Sequence, residues 1–157
     1  MLIFRAFLPI ETTEGCVIMK ILLVEDSKPI RRENERALLK AGYEVVCALD
    51  GESAIRFAQE TKPDLILLDL MLPKISGEEV LDYLKHQAST GDIPIIILSS
   101  LSERNRQKLM DAGAEEYLEK NELMQPNGVN LLPKLLEDII CRINRKRGEA
   151  FTKVPVH

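Results

Sequence analysis

From Lys20 onward the chain alternates short, unbroken apolar runs with longer amphipathic stretches. "ILLV" at 21–24, "LILL" at 65–68 and "IIIL" at 95–98 are continuous rather than alternating, the pattern of parallel strands covered by helices on both faces. Strands are predicted at 20–25, 43–47, 64–69, 94–99 and 116–119. The runs are short and bounded by Gly, Pro and charged residues, which favours strand over buried helix.

Between them lie stretches with helical starts and stops. Ser27 is placed to cap a helix carrying Pro29 in its first turn, and that helix ends near Gly42. Gly51–Glu60 forms a second, stopped by Pro63. Ser76 is placed to cap a third through Gly77 to His86, where Val80, Leu81 and Leu84 share a face. The stretch 102–113 offers only Leu109, Met110 and Ala112, so its helix is expected to be lightly anchored. Leu132, Leu135, Leu136, Ile139, Ile140 and Ile143 make the last helix strongly amphipathic. This repeated βαβ order predicts a doubly wound α/β fold with a parallel sheet.

At 157 residues and 45% hydrophobic content the chain suits one domain with tails. Residues 1–18 read as an N-terminal extension, 19–147 as the folded domain and 148–157 as a C-terminal tail. The apolar opening "MLIFRAFLPI" is interrupted by Arg5 and Pro9, well short of the ~20 apolar residues of a membrane span. Neither a secretory signal nor membrane insertion is expected. A net charge of −4 gives no general attraction to nucleic acid. Cys16, Cys47 and Cys141 are odd in number and unpatterned, which reads as small hydrophobes of a cytoplasmic protein, without disulfide or zinc.

Acids stand at the strand ends: Glu25 and Asp26 after the first run, Asp69 after the third. In an open parallel sheet the carboxyl ends of the strands border the crevice where sites form. Three carboxylates brought together there repel one another and call for a cation. An all-oxygen set without His or Cys favours a hard ion, and Mg²⁺ with retained waters suits so few protein groups. The fourth strand ends in Ser99 and Ser100 and the fifth in Lys120. Hydroxyl, ammonium and metal are what a phosphoryl group in transfer requires, with an aspartate as nucleophile.

"LLVED", "LILLDLMLPKISG", "PIIILSS" and "GAEEYLEK", in that order and spacing, make residues 20–147 resemble a response-regulator receiver domain of two-component signalling, of the stand-alone, chemotaxis-regulator kind. The resemblance implies a flavodoxin-like five-stranded sheet of order 2-1-3-4-5. It implies Asp69 as phosphoacceptor, and Asp26, Asp69 and the Met71 backbone carbonyl as Mg²⁺ ligands, with Glu25 acting through a bound water. Ser99 matches the hydroxyl that meets the phosphoryl group, Lys120 the ion-pairing lysine and Tyr117 the aromatic that reorients with it. Two departures stand out. Asn121 occupies the place of the family's proline, which disfavours a cis peptide at 120–121, and the approach to the last helix through 121–131 is long.

The function implied is a phosphate-accepting switch served by a sensor histidine kinase. It would signal to an unidentified protein target through a face made by 100–121 and 131–145, with a homodimer left open. Only about ten residues follow 147, against on the order of 50 for a DNA-binding output domain, so no such domain is expected. A middle carrier in a phosphorelay is the near alternative. An aspartate-nucleophile phosphohydrolase is the distant one, since such enzymes carry a second aspartate where Met71 stands. His86 and His157 are not expected to relay phosphate, Ser100 reads as structural, and Arg142, Arg145, Lys146 and Arg147 read as complements to a helix C-terminus.

Overall fold

A computed structural model describes residues 18–148 apart from Ser102. The extension through 17, the tail from 149 and Cys16 lie outside the described residues, so the expectations placed on them are not addressed. In chain order the elements are β1 (Lys20–Val24), α1 (Lys28–Lys40), β2 (Glu44–Ala48), α2 (Gly51–Thr61), β3 (Leu65–Asp69), α3 (Gly77–Lys85), β4 (Ile95–Ser99), α4 (Arg106–Asp111), β5 (Glu116–Glu119) and α5 (Leu132–Lys146). The five strands are parallel in the order β2-β1-β3-β4-β5.

The unbroken apolar runs have a direct physical reason. Alternate residues of a strand point to opposite faces, and both faces here are covered. Ile21, Leu23, Leu65, Leu67, Ile96 and Leu98 pack with Leu38 of α1 and with Leu132, Leu136, Ile139, Ile140 and Ile143 of α5. Leu22, Val24, Ile66, Leu68, Ile95 and Ile97 pack with Ala54 and Ala58 of α2, Val80, Leu81 and Leu84 of α3 and Leu109 of α4. Each fully buried Leu or Ile contributes roughly 1.5–3 kcal/mol, so a single polar residue inside any run would leave one of the two layers unsealed.

The helix ends mostly follow the sequence signals. Ser76 accepts from the Glu79 N–H while Glu79 reaches back to the Ser76 N–H, closing a capping box. Asp50 and Ser53 close a second. Ser27 departs from expectation: it holds the cap position, but its side chain makes no cap bond. Its N–H instead donates to Glu25 Oε1 at 3.1 Å, so the turn is fastened through the acid rather than the hydroxyl. The stretch 102–113 also differs. Only Arg106–Asp111 is α-helical, behind a 3₁₀ turn at Glu103–Asn105, with Leu109 its one fully buried residue. No side-chain cap starts it, and so little apolar surface holds only a short helix.

Between β5 and α5 the chain makes a 3₁₀ turn at Lys120–Glu122 and then a small hairpin, with Leu131 N–H donating to Leu123 O, Gln125 N–H to Val129 O, and Gly128 at φ 82° in the bend. Asn130 joins this hairpin to α1 through Asn34 and caps α5 at Leu132 N–H. Among the described residues no peptide is cis, and no helix is long and apolar enough to cross a membrane.

Cys47 of β2 is half-buried, and burial, with the Glu35 carboxylate beside it, pushes its thiol up to about 11. At pH 8 only about one part in a thousand would be thiolate. Iodoacetamide at pH 8 is therefore expected to label Cys47 far more slowly in the folded protein than in urea, as read by peptide mass spectrometry. Equal rates would contradict this account of its surroundings.

Candidate functional site

The chain leaves β1 toward β2 on one side of the sheet and then crosses back over β1 to β3. The strand order reverses between β1 and β3, and the crevice at their carboxyl ends is where such sheets bind ligands. Glu25 and Asp26 follow β1 and Asp69 ends β3. One oxygen from each of the three lies within 4.8 Å of the others. Glu25 and Asp69 are buried and Asp26 is exposed.

Every oxygen of the buried pair has a partner. Glu25 Oε1 accepts from Ser27 N–H, and Glu25 Oε2 lies 2.5 Å from Lys120 Nζ. Asp69 Oδ1 accepts from Met71 N–H at 3.1 Å, and Asp69 Oδ2 lies 3.1 Å from the same Lys120 ammonium. Lys120 thus bridges two acids from its position just past β5. Desolvation raises the Glu25 pKa, the neighbouring Asp69 charge raises it further, and the hydrogen bond from Lys120 opposes both. One ammonium facing three carboxylates leaves the crevice short of positive charge, and the donors are all hard oxygens. That set fits Mg²⁺.

Ser99 is fully buried at the end of β4, its Oγ accepting from Leu101 N–H at 3.0 Å. Tyr117 on β5 is buried with the α2–α3–α4 layer, and its hydroxyl donates to Leu101 O at 2.6 Å. Met71 and Leu101 stand at the mouth with side chains 60% and 42% exposed. Ser100 is exposed and makes no part of the crevice.

Two residues shape this region without having been singled out from the sequence, and a third, Glu116, acts at the opposite end of β5. Arg31, in the first turn of α1, donates through Nη1 to the carbonyls of Glu25 and Asp26 at 3.1 and 3.3 Å. It holds the backbone that carries both acids, and an arginine one turn after an acid pair was the available signal. Gly77 lies against the end of β3: a Cβ there would meet Asp69 O at 2.3 Å and Leu70 Cα at 2.6 Å. Glu116 is buried on β5 and accepts from Arg106 of α4 at 2.8 Å and Arg142 of α5 at 3.0 Å. Arg142 therefore pairs with a strand carboxylate rather than with the end of its own helix; Arg145 and Lys146 do occupy the last turn.

Residues 21–126 match the response regulator receiver domain. The chain belongs to that family. Its fold is shared with the chemotaxis protein CheY4 of Vibrio cholerae, at TM-score 0.68 and 30% identity over 78% of this chain and 98% of that one. The receiver domain of a sensor histidine kinase from Pseudomonas aeruginosa, solved with a magnesium ion coordinated in its active site cleft, is similar at TM-score 0.65 and 30% identity, covering 79% of this chain and 95% of that one. The gliding motility regulatory protein of Myxococcus xanthus is 40% identical over 131 residues, 82% of this chain and 16% of that protein. The chain spans between 16% and 55% of the length of curated relatives that it matches. Receivers are signalling domains of two-component systems, phosphorylated on an aspartate with Mg²⁺ at an acidic cluster.

The tight seat of Gly77 gives this receiver a sensitive point outside its charged groups. Gly77→Ala forces a methyl into the β3 backbone, a clash with nothing flexible to yield, and is expected to cost about 2 kcal/mol and to displace Asp69. A fall in melting temperature together with weaker Mg²⁺ binding by calorimetry would bear this out; wild-type values for both would show that the backbone yields freely.

Proposed function

We propose that Asp69 accepts a phosphoryl group from a sensor histidine kinase, that residues 19–147 are the functional unit, and that the phosphorylated receiver signals by contact with a protein target. The observation that carries this reading is the placement of Asp69, a buried carboxylate at the strand-order reversal with Lys120 at 3.1 Å and the Ser99 hydroxyl on the next strand. Asp26 and Asp69, with the Met71 carbonyl, are the proposed direct ligands of Mg²⁺, and Glu25 acts through a bound water. The exposure of the Asp26 carboxylate supports its part in this division; the oxygens of Glu25 and Asp69 are alike hydrogen-bonded, so their separation into water-mediated and direct ligands follows the family resemblance.

In the transfer, a carboxylate oxygen of Asp69 attacks the phosphorus of phosphohistidine. The O–P bond forms, the N–P bond breaks, and the imidazole leaves carrying the electron pair. Asp26, Asp69 and the Met71 carbonyl would hold Mg²⁺, which would supply positive charge to offset that of the phosphoryl group. Lys120 shifts its hydrogen bonds from the carboxylates to a phosphoryl oxygen, and the Ser99 hydroxyl leaves Leu101 N–H to donate to another. Asn121 and the 123–131 hairpin lie beside Lys120 and α1, where a partner would meet this receiver differently from one with a shorter connection.

Asp69→Asn is expected to abolish labelling by a small acyl-phosphate donor with Mg²⁺, measured by intact mass, because the amide is a poor nucleophile. Stoichiometric, metal-dependent labelling of that variant would sink the assignment. Asp26→Asn is expected to weaken Mg²⁺ binding about tenfold or more, ~1.4 kcal/mol, and Glu25→Gln by less. Calorimetric titration showing equal losses would undo the division between direct and water-mediated ligands.

A further inference from the structure

Among the described residues, Glu116, at the start of β5, is the one buried acid that the phosphoryl chemistry leaves unused. Its Oε1 accepts from Tyr117 N–H at 3.0 Å and from Arg106 Nη2 at 2.8 Å, and its Oε2 accepts from Arg142 Nη2 at 3.0 Å. The Glu116 side chain is 11% exposed, against 42% for Arg106 and 54% for Arg142. One carboxylate anchored to its own strand therefore holds two guanidinium groups, one from α4 and one from α5.

The two helices depend on it unequally. Apolar residues from both ends of α5 are buried in the core, whereas α4 fully buries only Leu109. The other charged tether of α4 shown by the structure is Lys108 to Glu78 of α3 at 2.8 Å, and Lys108 is 71% exposed, where such pairs contribute little. Among the described residues, α4 is held by Leu109, by the half-buried Met110 and by the grip of Glu116 upon Arg106.

That grip is joined to the phosphoryl pocket by contacts already described. Ser99 Oγ holds Leu101 N–H, Leu101 O holds the Tyr117 hydroxyl, and Tyr117 N–H is bonded to Glu116. Drawing the Ser99 hydroxyl away frees the start of the 101–105 connection, which leads directly into Arg106. Glu116 cannot follow α4, because β5 and Arg142 keep it in place. A displaced α4 must therefore leave the carboxylate behind.

We propose that Glu116 is an electrostatic latch that holds α4 in the unphosphorylated arrangement through Arg106, and that the phosphoryl group works against this latch when it shifts the receiver toward its signalling arrangement. This deepens the reading of Asp69 as phosphoacceptor and rests on it. Thermodynamic linkage sets the consequence: whatever favours the resting arrangement weakens every ligand that prefers the other one. Weakening the latch strengthens binding of a phosphoryl mimic at Asp69, although Glu116 does not touch that site.

The test is beryllofluoride with Mg²⁺ on the full chain, followed by backbone NMR, in wild type, Glu116→Gln, Arg106→Gln and Lys108→Gln. Glutamine at 116 keeps an acceptor for Tyr117 N–H while losing the charge, and Arg106 is exposed enough for its removal to leave the core alone. Glu116→Gln and Arg106→Gln are each expected to raise beryllofluoride affinity at least about fivefold. Without beryllofluoride, their amide shifts over 103–118 are expected to move part-way along the line joining the free and bound wild-type positions. Lys108→Gln is expected to do neither. Wild-type binding with unchanged affinity and unmoved shifts in both variants would overturn the latch and leave the phosphoacceptor reading standing. Equal effects from Lys108→Gln would overturn it too, by showing general loosening of α4. Failure of the wild type to bind beryllofluoride would overturn both.

Discussion

Crowding of negative charge at the reversal point of the sheet is the constraint to which the rest of this receiver answers. Two carboxylates within 4.8 Å repel by roughly 3–4 kcal/mol at an effective dielectric of about 20, and burial of Glu25 and Asp69 adds desolvation. The fold meets this cost with directed bonds. Two backbone N–H groups, from Ser27 and Met71, each take one oxygen, and Lys120 serves the other two. The compensation is incomplete, and the remaining negative charge suits a cation: a site fully neutralised by protein groups would hold one only weakly.

Keeping such a site poised requires rigid walls, and these come from the double-sided apolar sheet. Its strands end in acids and hydroxyls at the level where the core stops. Gly77 lets the chain turn back against Asp69 without a side chain between, and Arg31 holds the carbonyls of the two acids after β1. The same packing that seals the layers thus fixes the carboxylates close enough to repel.

The strands were legible in the sequence almost to the residue, because a run such as "IIIL" can be buried on both sides only within a covered parallel sheet. Capping at Ser76 was legible for a local reason as well, Glu79 lying three positions on. What escaped were contacts between distant positions. Lys120 meets Glu25 across 95 residues, and Arg142 meets Glu116 across 26; neither leaves a periodic trace. Lys120 could be matched to an acid only through the resemblance of whole motifs, and that resemblance paired it with the phosphoryl site without showing that Glu25 takes the shorter bond. Ser27 misled because Pro29, at the second helical position, has no N–H to donate to its hydroxyl, while its own N–H goes to Glu25. Glu116 was passed over as one polar residue in the "EYLEK" motif, where its burial depends on helices contributed from both sides.

The contrast between α4 and α5 bears on the proposed latch, in which the element that moves is the one with thin apolar burial. Displacing α5 would expose Leu132, Leu136, Ile139, Ile140 and Ile143, each worth roughly 1.5–3 kcal/mol, far more than charge added at one aspartate could supply. Displacing α4 exposes little beyond Leu109 and the half-buried Met110. A hydrogen bond weakens steeply once its donor and acceptor part or misalign, and water then screens the two charges of an exposed pair. In the proposed latch, a helix with thin apolar burial leaves its bound position once the pair between Glu116 and Arg106 opens, and a movement of the Ser99 hydroxyl would be read as that opening.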